Sequence, residues 1–109
     1  MTGPNPQVRP PERCSTMLEL RDQIDRLDRA LVKLLSERQR YIERAAEIKS
    51  DRAAVRDEAR IADVIGKVLD EAGRAGLNAE IAEPVWRALM DCSIAYEFKR
   101  FDEKVQRSK

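Results

Sequence analysis

From Leu18 to about Asp51 the chain has neither glycine nor proline, and its apolar residues fall at Leu20, Ile24, Leu27, Leu31, Leu34, Leu35, Tyr41, Ile42, Ala45 and Ile48. Steps of three and four put these residues along one helix face. Ser15 or Thr16 can cap that helix, and Glu19 stands three residues after Thr16, where a capping box places its acid. At about 1.5 Å per residue, such a helix is about 50 Å long, more than a compact domain of this size needs. A second stripe, Ile61, Val64, Ile65, Val68, Leu69 and Ala72, predicts a helix from about Asp57 to Ala72, stopped by Gly73 and Gly76. Asn78 restarts the chain. The third stripe carries Ile81, Val85, Trp86, Leu89, Met90, Cys92, Tyr96 and Phe101. Pro84 suits a first helical turn, which puts the start of this helix near Ala82. No segment alternates as a strand would.

The expectation is therefore an all-α fold: a three-helix protomer with one long N-terminal helix. Residues 1–16 hold four of the five prolines and have little to bury, so they read as a flexible Pro-rich tail ahead of a helical domain at 17–105. Two shorter helices would leave much of a 50 Å stripe uncovered. A second copy can cover it, which predicts an intertwined homodimer. The plainer alternative is an antiparallel coiled coil without any site.

Composition narrows the chemistry. Of 109 residues, 21 are Lys or Arg and 20 are Asp or Glu, a net charge of +1 that offers no broad field for nucleic acid. With no histidine, the Ser-His-Asp triad, the Cys-His pair and the His-bearing zinc site are excluded. Cys14 and Cys92 make neither a disulfide framework nor a metal knuckle, so no metal or cofactor is expected. No apolar run is long enough for a membrane and no leader pattern opens the chain, so the expected location is the cytoplasm.

The informative residues are charges inside the apolar stripes. Arg38 and Lys49 take stripe positions three turns apart, about 16 Å along the helix, with no acidic stripe residue between them. Either alone could reach solvent along its stem; the two together point to an anion. Arg21 lies about 25 Å from Arg38 on the same helix. It is too far to share a small ligand with Arg38 in one chain, but an antiparallel partner would bring it close. Its plainer role is a surface pair with Asp25. Asp57 reads as an N-cap, and Arg60 is the next candidate to face inward. Ser93 and Glu97 are one turn apart, on a face shared with Trp86, Met90 and Phe101, so partial burial is expected for Glu97. A protonated acid there could donate a hydrogen bond, which a carboxylate cannot. Several cations, a hydroxyl and a buried acid suit a small dianion and catalysis by capture and electrostatics.

Leu20-Arg21-Asp22-Gln23-Ile24-Asp25-Arg26-Leu27-Asp28, then Leu34-Leu35-Ser36-Glu37-Arg38, Lys49, Val55-Arg56-Asp57 with Arg60, and Asp91-Cys92-Ser93-Ile94 together resemble the all-helical, AroQ-type chorismate mutases. The resemblance covers about residues 17–101. It implies an intertwined dimer with two sites, each taking Arg21 from the partner. Arg21 and Arg38 would clamp the carboxylates of chorismate. Lys49 and Glu97 would serve the ether oxygen, Asp57 the ring hydroxyl, Arg60 the rim and Ser93 a carboxylate. The activity implied is rearrangement of chorismate to prephenate, without a cofactor, in aromatic amino acid biosynthesis. Two positions depart from the bacterial pattern. Ile61 stands where those mutases carry Glu, and Glu97 where they carry Gln. The related isochorismate pyruvate lyases, which form salicylate, have an apolar residue at the position of Ile61. Lyase activity is thus one alternative, and a non-catalytic helical dimerisation module is another.

Overall fold

A computed structural model describes residues 8–109. It is all helical: α1 spans Met17–Ile48, α2 Glu58–Ala75 and α3 Ala79–Arg107, with 3-10 turns at Pro11–Arg13 and Arg52–Ala54. The described residues up to Arg38 form one compact unit and Gln39–Lys109 a second.

In the first unit the start of α1 is fixed by its own side chains. Thr16 Oγ1 accepts from the Glu19 amide at 3.2 Å, and Glu19 Oε1 accepts from the Ser15 amide at 2.7 Å. The capping box forms, with Glu19 reaching one residue beyond the cap. Glu19 Oε2 also takes Arg9 Nη1 at 2.7 Å, so the described part of the Pro-rich segment, residues 8–16, is tied to the helix. The rest of that segment, residues 1–7, lies outside the described residues. The backbone bonds to Glu19 hold its carboxyl below the usual range, Ser15 chiefly, assisted by Arg9. The stripe of this unit is bare: Ile24, Leu27, Leu31, Leu34 and Leu35 are each 43–63% exposed.

In the second unit α2 packs on α3. Their connection turns at Gly76, whose φ of +80° is open to glycine at no steric cost, and Leu77 donates its amide back to the Ala72 carbonyl at 2.8 Å. Asn78 then caps α3, its side chain accepting from the Glu80 amide at 2.7 Å. The helix therefore starts at Ala79, three residues before the expected position, and Pro84 lies inside it. The Asn78 cap and the fully buried Ala82 hold this first turn, so the amide missing at Pro84 does not end the helix. The core beside the end of α1 is Ala46, Val55 and Phe101, with Ile94 and Phe98 packed against it. Among the described residues, no helix is long and apolar enough to cross a membrane.

Candidate active site

α1 ends at Ile48, and Lys49 follows as the first residue of the loop to α2, its amide still bonded to the Ala45 carbonyl at 3.0 Å. Its ammonium meets Glu97 Oε2 at 2.7 Å. Glu97 is buried, only 4% exposed, whereas Lys49 keeps 30% of its side chain in solvent. Burying a carboxylate without a partner is costly, and Lys49 provides the partner. The two residues that the resemblance assigns to one oxygen atom thus have their polar ends in contact. Here Glu97 Oε2 accepts from the lysine. Met90 and Phe101 on the same helix face are also buried, which explains the dry surroundings of Glu97.

The loop after Lys49 is braced on α3. Asp51 caps its 3-10 turn by accepting from the Ala53 amide at 3.0 Å. Val55 enters the core. Arg52 grips Asp102 with two hydrogen bonds, 2.8 and 3.2 Å, and stacks 4.4 Å from the Phe98 ring. Those bonds hold the Asp102 carboxyl below its ordinary range. Asp57 closes the loop as the α2 N-cap, accepting from the Arg60 amide at 3.2 Å, as its spacing predicts.

Ser93, half-buried and one turn before Glu97, donates its hydroxyl to the Leu89 carbonyl at 2.7 Å. Arg60 does not face inward. Its side chain is 62% exposed and pairs with Asp63 at 2.7 Å. It lies one position before Ile61, where the inward stripe begins, and Asp63 one turn on captures it at the surface. In the first unit Arg38 is half-buried and Arg21 exposed. Among the described residues Arg21 makes no ion pair, with Asp25 or any other acid.

Two groups of contacts escaped the sequence reading. Tyr96 donates to Glu43 at 2.5 Å, joining α3 to α1. That hydroxyl is the main reason the Glu43 carboxyl sits below its ordinary value, and the same bond raises the Tyr96 phenol. Lys104 donates to the carbonyls at the end of α1. A signal for it existed, because α1 has no basic residue in its last turn to meet those carbonyls.

The chain is thus an all-helical protein that carries, at the end of one helix, a lysine held against a buried carboxyl. More narrowly, the chain belongs to the chorismate mutase type II family, whose model matches residues 20–98. The matched span includes Arg21, Arg38, Lys49, Asp57, Arg60, Ser93 and Glu97. The chain is also similar to the isochorismate pyruvate lyase of Pseudomonas aeruginosa, 28% identical over 92 residues that cover 84% of this chain and 91% of that protein.

Proposed function

We propose that this chain is a chorismate mutase, converting chorismate to prephenate as a homodimer and without a cofactor. The observation that carries the reading is the Lys49–Glu97 contact, a cation at a helix end held by a buried acid. As the ether C–O bond breaks, negative charge grows on its oxygen, and an ammonium already in place stabilises that charge without reorganising. Arg38, with Arg21 from the partner, would clamp the two carboxylates. Ser93 would add a hydroxyl to one of them, and Asp57 would meet the ring hydroxyl. Arg60 would serve the rim only by exchanging Asp63 for the substrate.

A second reading is isochorismate pyruvate lyase. Ile61, half-buried, offers no acid to the ring hydroxyl, and the similar Pseudomonas aeruginosa protein carries that activity. The same ammonium would serve there, because the lyase breaks the same kind of bond. Incubating the purified chain separately with chorismate and isochorismate decides between them. Prephenate from chorismate is expected. Salicylate and pyruvate from isochorismate alone would establish the lyase, and no product from either would leave a helical dimerisation module.

A further inference from the structure

The carbonyls in the last turn of any helix lack intrahelical partners and carry partial negative charge. In α1 these carbonyls lie directly before Lys49, and the last turn of α1 has no cation of its own. One comes from α3. The Lys104 ammonium donates to the Ala46 carbonyl at 2.9 Å and to the Lys49 carbonyl at 2.6 Å, with the Glu47 carbonyl at 3.5 Å. It also lies 4.3 Å from the centroid of the buried Phe101 ring. An ammonium has three protons to donate, and here they converge on the end of one helix.

Lys104 is seven residues, two turns, beyond Glu97, so both lie along one side of α3. Glu97 holds the tip of the Lys49 side chain and Lys104 holds its main chain. A lysine stem has four rotatable bonds. Fixing only one end leaves the ammonium able to wander, whereas fixing both defines its position.

We propose that Lys104 is a positioning residue for Lys49. By tying off the carbonyl end of α1, it sets the backbone from which the Lys49 ammonium reaches the reacting oxygen. This inference rests on the proposed reaction, in which Lys49 meets the charge that develops as the C–O bond breaks. Lys104 lies outside the span that the family model matches, residues 20–98.

The test uses the full-length chain with Lys104→Met and Lys104→Arg, each alone and with Lys49→Met. Arg107→Met, which removes an exposed pair to Glu47 near the same helix end, is the control. Lys104→Met is expected to lower kcat at least tenfold with KM within about twofold, because positioning matters most in the transition state. Lys104→Arg should recover most of kcat, since a guanidinium can also donate to several carbonyls. In the Lys49→Met background, Lys104→Met should cost nothing further in kcat, as expected of residues acting as one unit. Arg107→Met should leave kcat unchanged. A kcat for Lys104→Met within twofold of the parent would overturn the proposal, as would a loss that persists in the Lys49→Met background. Amide exchange at Lys49 separates this proposal from the reaction it rests on. If the parent chain turns over neither substrate, the reaction is wrong. The tether then still stands if Lys104→Met lowers Lys49 protection at least tenfold while α2 is unchanged, and falls if it does not.

Discussion

Lys49 and Ser93 would meet the substrate at different stages of the reaction, and kinetics can tell them apart. In the proposed reaction the charge that Lys49 would face exists only as the bond breaks, whereas the carboxylate that Ser93 would touch is charged throughout. Lys49→Ala should therefore lower kcat by about a hundredfold, the usual cost of losing one donor to a developing oxyanion. Ser93→Ala should raise KM by roughly two- to tenfold with kcat nearly constant, the worth of one ordinary hydrogen bond. Steady-state kinetics on the two variants, with equal losses in kcat, would remove this division of roles. At this scale the sequence singles out Lys49 and Glu97 because each places a charge inside an apolar stripe. Their contact was hidden, because periodicity names a face and never the partner across 48 residues. Arg60 was misread for a related reason: one helical position separates the inward stripe from a surface where Asp63 waits.

The helices themselves were legible nearly to their ends, since caps and glycine stops are local chemistry. Thr16, Asp57, Gly76 and Asn78 all do what their types predict. The start of α3 was the exception: Pro84 argues locally for a later start, while Asn78 and the buried Ala82 favour an earlier one. The bonds between helices were not legible, and one of them gives a pH signature. The Tyr96–Glu43 bond needs an ionised carboxyl and an intact phenol. Glu43 is lowered from 4.5, so its contribution is present above that value and is lost as pH falls through the lower folded one. Tyr96 is raised from 10.0, so its contribution is present below that value and is lost as pH rises through the higher folded one. Tyr96→Phe should therefore lower Tm by a constant amount across neutral pH, and the difference from the parent should shrink at both extremes. Thermal melts of the two proteins from pH 3 to 11 read this directly, and a difference that does not vary with pH would remove the bond from the stability of the second unit.

For the whole molecule, the outstanding feature is the bare stripe of α1. Leu27, Leu31 and Leu34 each leave more than half of their surface in water, 51, 54 and 63%. A single chain is not expected to persist with that row of aliphatic side chains open, so sedimentation should find a dimer at micromolar concentration. The same association would supply Arg21 to the partner's site. Subunits carrying Arg21→Ala and subunits carrying Arg38→Ala should each be inactive alone. After exchange, each mixed dimer should regain one working site of its two, because one site then receives both arginines. No recovery after verified exchange would leave Arg21 without a role in catalysis.

The stretch that holds the end of α1 also bears on where this protein can be cut. Asp102 and Lys104 reach back to Arg52 and to the carbonyls around Lys49, and both follow the last residue of the family match, Phe98. An expression boundary drawn at that match would keep every residue assigned to the substrate. It would also discard the braces that stand behind Lys49. With Lys104 placed as proposed, a protease that trimmed the final two turns of α3 would lower turnover while leaving every proposed substrate contact in place.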